Sequence, residues 1–309
     1  MVLDEPFRAS AAVAAGAVTR AQLRGPRFLR LFPDVFVRVG DQPPDLLLRS
    51  LGAAQLVAGR GVLGGWSAAR LLGADAAPRD APAEVVVQQE QRTHPGLLVR
   101  REVVSAETRT VRGCRVTSPL RTAYDLARRL PLVEAVVALD AIGRLPHAGF
   151  VPDDLLLRRE FGARGVRRIE QVVELADPRA ESPMETRTRV MLALAGLPPP
   201  EVQYELRDAD GRLIARFDLA YPQARLAIEY DGAGHDEFGP RGPGQRGLGY
   251  DDRHRDLRTG ALGWRTIRLT AADLTTRRTE TLAAIRAHLR APIPTCVLLS
   301  APRTTQAVV

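Results

Sequence analysis

The stretch Arg216-Phe-Asp-Leu-Ala-Tyr-Pro-Gln-Ala-Arg-Leu-Ala-Ile-Glu-Tyr-Asp231-Gly232 holds two segments of alternating character separated by a proline turn. In the first, Phe217 and Leu219 alternate with Arg216 and Asp218; in the second, Leu226, Ile228 and Tyr230 alternate with Ala227, Glu229 and Asp231. Successive side chains of a strand point to opposite faces, so each segment reads as a strand with one apolar and one charged side. Two such strands can share an apolar face only in one parity of register. A four-residue loop from Pro222 to Arg225, with Pro222 in the second place of a type I turn, pairs residues whose numbers sum to 447. Phe217 then faces Tyr230, Leu219 faces Ile228 and Asp218 faces Glu229, with Asp231 two residues along on the same side.

Like charges directly opposite one another destabilise a sheet, so the carboxylates of Asp218, Glu229 and Asp231 need a counter-charge. Arg216, opposite Asp231 in this register, would make a salt-bridged patch, and a solvated edge is the other bland solution. A hard divalent cation is the third, and an all-oxygen donor set suits Mg²⁺ or Mn²⁺ better than Zn²⁺. The second strand runs out into a glycine-rich stretch, Gly232 to Gly249, and loops at strand ends are where chemistry concentrates.

Outward from this hairpin, Ser182-Pro183-Met-Glu185 reads as a capping box that opens a helix to about Ala195. That box alone explains Glu185. Strands are expected at Glu201 to Leu206, Leu213 to Tyr221, Leu226 to Asp231 and Trp264 to Leu269, with helices at Tyr250 to Ala261 and Leu274 to Leu289. The order αβββαβα over residues 180–292 is an α/β domain, and 293–309 reads as a frayed tail.

Upstream, residues 1–45 read as two helices, the second capped by Thr19, and a small hairpin after Pro33, the pattern of a winged helix-turn-helix. Arg20, Arg24, Arg27, Arg30 and Arg38 stand there against Asp34, as a DNA-contacting or merely solvated face. Residues 46–177 read as a mixed α+β region: helices at Leu46 to Ala58, Val62 to Leu72, Ser118 to Arg129 and Leu132 to Ile142, strands at Glu84 to Val87, Gly96 to Arg101 and Thr108 to Val116, and a basic segment from Leu155 to Leu175. His94 and His147 stand alone near loop signals.

Composition narrows the function. The 309 residues carry 44 basic and 36 acidic side chains, net +8, and every basic one of the Lys/Arg pair is arginine. Schiff-base and phosphate-loop lysine chemistry is therefore excluded, and the balance points to a polyanion, DNA, as partner. Between Arg241 and Arg290 eleven arginines face five acids, a local surplus suited to a phosphate backbone. The two cysteines, Cys114 and Cys296, build neither a disulfide framework nor a zinc cluster. The amino end lacks the basic, apolar pattern of a signal peptide, and no uncharged apolar run approaches the ~18 residues of a membrane span. A soluble, cytoplasmic protein without membrane contact is expected.

The ordered set of the helix glutamate Glu185, Phe-Asp218-Leu-Ala-Tyr-Pro, Leu-Ala-Ile-Glu229-Tyr-Asp231-Gly-x-x-His235, Asp252-x-x-Arg255 and Gly263-Trp-Arg-x-Ile-Arg resembles the Vsr-like endonuclease group of the PD-(D/E)xK restriction-endonuclease-like superfamily, over about residues 180–290. By that resemblance Asp218 is the central metal ligand, Glu229 the second acid and Glu185 the helix acid of a Mg²⁺ or Mn²⁺ site. Asp231 falls where the superfamily has its lysine, a departure that puts the general base in question, and His235 would assist the attacking water or the leaving group. Asp252 and Arg255 match the family helix, where their role would be structural, and Arg253 and Arg255 are also candidate DNA contacts. Residues 1–140 resemble, more loosely, the winged-helix antitoxins of abortive-infection type IV systems, most closely at Thr117-Ser-Pro-Leu-Arg-Thr-Ala-Tyr-Asp-Leu126. The expectation is a Mg²⁺-dependent DNA endonuclease whose N-terminal region aids DNA binding, with a toxin or repair protein as a further candidate partner. Its rival is a non-catalytic DNA-binding regulator, antitoxin-like, that keeps a nuclease fold as a scaffold.

Overall fold

A computed structural model describes residues 4–103, 107–158, 164–232 and 248–290. The chain divides into two compact units, the first reaching Ala193 and the second beginning at Leu194.

The first unit opens with β1 (Phe7–Arg8), α1 (Ala9–Ala14), α2 (Arg20–Leu23), β2 (Phe28–Phe32) and β3 (Val35–Arg38), which form a three-stranded sheet in the order β1-β3-β2. Alternation gives this sheet two apolar faces. Phe7, Phe28 and Phe36 pack with Ala12, Val18 and Leu23 of the α1–α2 side, while Phe32 and Val35 pack with Ala53 and Leu56 of α3 (Leu46–Leu56) and with Val57 at its end. The expected Thr19 cap is present, as one half of a capping box: Gln22 N–H donates to Thr19 Oγ1 at 3.1 Å and Thr19 N–H to Gln22 Oε1 at 2.7 Å. The hairpin after Pro33 is present too. The helices are shorter than a winged helix-turn-helix requires, because Gly25-Pro26 stops α2 after four residues and the chain runs directly into β2. Residues 4–45 therefore offer no helix long enough to lie in a major groove as that motif does.

Next come β4 (Gly61–Leu63), α4 (Gly65–Leu72), β5 (Ala83–Val87), β6 (Leu97–Arg101), β7 (Thr108–Val111) and β8 (Cys114–Thr117), a five-stranded sheet in the order β6-β5-β4-β8-β7. Two expectations are corrected here. Val62 to Leu72 is not one helix: Gly61, Val62 and Leu63 are all buried between β5 and β8, and a short apolar run reads alike as buried strand or helix. Thr108 to Val116 is not one strand but a hairpin, turned by Arg112 and Gly113 at φ 50° and 72°, the pair of left-handed residues that a tight hairpin turn demands.

The helices α5 (Pro119–Arg129), α6 (Leu132–Gly143), α7 (Asp154–Leu157) and α8 (Ile169–Glu174) pack around Tyr124, Leu139, Ile142 and Leu155. The basic segment Leu155 to Leu175 is thus several short pieces, with a 3₁₀ turn at Val166–Arg168. Helix α9 (Pro183–Leu194) belongs with this unit: Arg189 Nη2 and Thr186 Oγ1 donate to the buried Asp140 carboxylate at 2.6 and 2.8 Å, and Arg187 grips Glu134 at 3.0 and 2.8 Å. The expected boundary at Asp177 instead ties back into the core, its backbone N–H donating to Asp140 Oδ1 at 2.7 Å.

The second unit contains β9 (Glu201–Arg207), β10 (Leu213–Tyr221), β11 (Leu226–Tyr230), α10 (Leu248–Ala261), β12 (Arg265–Leu269), α11 (Ala271–Leu274) and α12 (Arg278–Arg290). Its sheet runs β12-β11-β10-β9, antiparallel except for the β11–β12 pair, which is parallel. Leu219 pairs with Ile228, Ala220 with Ala227 and Tyr221 with Leu226, the register expected from loop length and alternation. Pro222–Ala224 makes a 3₁₀ turn and Arg225 closes it at φ 49°. The expected closing helix, Leu274 to Leu289, is α12 and starts later, at Arg278, because the short α11 ends at Leu274 and the backbone at Thr275 leaves the helical region. Trp264 stacks on Tyr204 and Phe217 at centroid distances of 5.4 and 5.1 Å and covers one face of the sheet.

Candidate functional site

In the second unit, the pairing of Leu219 with Ile228 carries Asp218 and Glu229 to the next positions on neighbouring strands. Asp218 Oδ2 accepts the backbone N–H of Tyr230 at 3.2 Å. On its other side, the pairs Phe217–Tyr204 and Leu219–Val202 place Gln203 beside Asp218, and Gln203 holds φ 55° in mid-strand. Left-handed backbone at a non-glycine residue stores strain and is uncommon inside a strand.

Glu229 is buried, and its charge is met by arginine. Arg255 Nη2, from α10, donates to Glu229 Oε2 at 2.8 Å; Arg268 Nε, from the adjacent position on β12, lies 3.7 Å from the same oxygen, and Arg268 Nη2 donates to Asp256 at 2.8 Å. Arg216, the arginine expected to balance the acids, stands opposite Glu205 in the β9–β10 register. Asp231 is exposed just past the end of β11, its N–H donating to Leu269 O at 2.8 Å. Among the described residues no three His, Cys, Asp or Glu side chains come together as a metal-ligand group. Glu229 Oε2 is engaged by Arg255, so a Mg²⁺ or Mn²⁺ ion held by Asp218 and Glu229 would have to displace that ion pair.

Glu185 lies in the first unit, where its N–H is capped by Ser182 Oγ at 3.2 Å and its Oε2 accepts the N–H of Glu181 at 2.8 Å, a capping box displaced by one residue. His235 and the side chains of Asp252 and Arg253 lie outside the described residues.

At the amino end, Arg20, Arg24, Arg27, Arg30 and Arg38 are all exposed. Arg38 Nε lies 3.6 Å from the exposed Asp4, and Arg30 Nε reaches Phe32 O at 3.4 Å. The acid beside them is already engaged: Asp34 accepts from Ser10 N–H at 2.8 Å and Ser10 Oγ at 2.7 Å, with Arg8 at 3.4 Å. Against the upward push of desolvation, these donors hold its carboxyl below the ordinary range. A cleft of about 430 Å³ opens here, lined by Ala9, Ser10, Val13, Arg20, Leu23 and Asp34.

The segment Thr117 to Leu126 builds the start of α5. Ser118 Oγ caps Arg121 N–H at 3.2 Å, Thr117 and Thr122 hydroxyls meet at 2.6 Å, and Arg121 Nε donates to the buried Asp125 at 2.8 Å. The Tyr124 ring is buried with the Arg158 guanidinium 4.9 Å from its centroid.

Residues 61–177 match the family model of the AbiEi antitoxin C-terminal domain. Uncharacterized protein Rv2248 of Mycobacterium tuberculosis strain H37Rv and uncharacterized protein MT2308 of strain CDC 1551 are each 31% identical over 248 residues, 80% of this chain and 88% of theirs. No solved structure matches. At that identity and coverage the chain belongs to the family of these two mycobacterial proteins, with a segment similar to the AbiEi antitoxin C-terminal domain at its centre.

Proposed function

We propose that this protein is a DNA-binding regulator of the antitoxin type, with a toxin as its cognate protein partner. The observation that carries the reading is the match of residues 61–177, the whole five-stranded sheet and its covering helices, to the AbiEi antitoxin C-terminal domain. The exposed Arg20, Arg24 and Arg27 support it, since exposed guanidinium groups suit backbone phosphates. The brevity of α1 and α2 favours contact to phosphates over insertion of a reading helix. The experiment is a duplex-binding titration of the full chain at several salt concentrations beside Arg20→Ala/Arg24→Ala/Arg27→Ala. Tight, salt-steep binding that the triple variant loses is expected; equal binding by the variant contradicts the reading.

A metal-dependent DNA endonuclease is the second reading, favoured by one observation: the β10–β11 register that sets Asp218 beside Glu229 under a strained Gln203. It requires Arg255 to turn away from Glu229. Nicking of supercoiled plasmid with Mg²⁺ or Mn²⁺, abolished by EDTA and by Asp218→Asn, is what that reading expects; intact plasmid in every lane removes it.

A further inference from the structure

Helix α5 carries Arg121, Asp125, Arg128 and Arg129 at spacings that put them on one helical face. That face is buried. Asp125 is wholly covered, and the three arginine side chains are about one-tenth exposed. Two buried carboxylates hold the guanidiniums in place: Asp125 accepts from Arg121 Nε at 2.8 Å and from Arg128 Nε at 3.1 Å, while Glu84 lies 3.3 Å from Arg129 Nη1. Glu84 is itself fixed by Arg100 Nε at 3.0 Å.

The three Nη2 atoms converge on a single further carboxylate, that of Glu102, while Arg128 Nη2 also donates to Asp125 Oδ1 at 2.9 Å and Arg129 Nη2 lies 3.2 Å from the same oxygen. Arg121 Nη2 donates at 2.9 Å, Arg128 Nη2 at 2.8 Å and Arg129 Nη2 at 2.5 Å. Glu102 differs from the two anchoring acids. Its side chain is 29% exposed where theirs are 1% and 6%, and it stands just beyond the end of β6, next to the exposed Val103. Its backbone N–H stays on Val87 O at 3.0 Å, so the side chain can swing away by χ rotation while the strand keeps its place. When it does, each of the three arginines still has a buried carboxylate to hold its orientation. What is left is a rigid fan of guanidinium donors at a partly exposed point.

We propose that Arg121, Arg128 and Arg129 form an anion site for a phosphate monoester, and that Glu102 is its built-in occupant, displaced when the phosphate binds. Three converging guanidiniums match three terminal phosphate oxygens, each of which accepts a short charge-assisted hydrogen bond, whereas a carboxylate offers two. The group can come from a mononucleotide or from the 5′ end of a nucleic-acid strand. This site lies in the 61–177 segment and stands whether or not the amino-terminal arginines bind DNA.

The test uses the full chain, wild type, Glu102→Ala and Glu102→Gln, melted in inorganic phosphate against chloride at equal ionic strength. Both variants should melt below wild type in chloride and recover with phosphate, by roughly 3–6 °C at ten times the dissociation constant; wild type, which must first expel Glu102, should respond at several-fold higher phosphate. Adding Arg129→Ala to either variant should abolish the recovery. Arms with AMP and with an oligonucleotide carrying or lacking a 5′-phosphate identify the source: AMP alone marks a mononucleotide site, the 5′-phosphorylated strand marks a nucleic-acid end. Should Glu102→Ala fail to fold, Glu102→Gln keeps the same volume and carries the same comparison. Phosphate shifts equal in wild type and both variants, or undiminished by Arg129→Ala, overturn the proposal.

Discussion

Arg255 on α10 and Glu229 on β11 are 26 positions apart in sequence and 2.8 Å apart in space, and their ion pair neutralises the acid that the hairpin register sets beside Asp218. Glu229 is buried, so removal of its partner leaves a desolvated charge without compensation.

The first prediction follows from that pair. Arg255→Ala should destabilise the second unit by about 1–3 kcal/mol, less than a fully buried pair because Arg255 is partly exposed and Arg268 remains nearby. Arg255→Met with Glu229→Gln should recover most of the loss, since neither variant then buries a lone charge. Urea denaturation measures both. An unchanged midpoint for Arg255→Ala would mean that the pair does not neutralise Glu229 in solution.

Gly65 makes the second. It opens α4 at φ 48°, and a Cβ there would fall 2.0 Å from Glu84 Oε2, in a carboxylate whose other oxygen, Oε1, is held by Arg100 and Arg129. Gly65→Ala should cost about 2–4 kcal/mol through combined backbone strain and displacement of a buried carboxylate. Gly59→Ala, also at positive φ but with nothing within 4 Å, should cost distinctly less. Equal losses in the two variants would show that strain alone decides.

A third prediction concerns pH. Desolvation pushes the Glu102 carboxyl up, but the hydrogen bond from Arg128 and the charges of Arg129 and Arg128 outweigh it and hold the group below its ordinary value of 4.5. A depressed carboxylate contributes stability that is fully present above that value and is lost as pH falls through the depressed one. Stability measured from pH 6 downward should therefore fall less steeply below pH 4.5 in Glu102→Gln than in wild type. Parallel acid limbs would contradict the pairing.

The hairpin was legible in sequence because three constraints agreed: alternation fixed the faces, Pro222 fixed the turn, and parity fixed the register. Its counter-ions were not. Arg255 reaches Glu229 from a helix beyond the glycine-rich stretch, and Arg268 arrives through a parallel strand pairing; neither leaves a periodic mark near Glu229. Strand β4 was hidden for another reason, since three buried residues before a glycine pair carry no period at all. Helix α9 was placed correctly along the chain, but its seat on Asp140 depends on Thr186 and Arg189, polar residues that read as an exposed helix face. The charged face of α5 looked equally ordinary until Glu84 and Glu102 were seen to cover it.

The most direct test of the antitoxin-type reading is fluorescence anisotropy of a labelled duplex with the full chain in EDTA, across a salt series. Binding without any divalent ion is expected, with a steep linear fall of log affinity against log salt, and Arg20→Ala/Arg24→Ala/Arg27→Ala should flatten that slope by about 2–3 as those phosphate contacts are lost. Binding that appears only when Mg²⁺ or Mn²⁺ is added and that Asp218→Asn removes, with the triple variant indistinguishable from wild type, would contradict it.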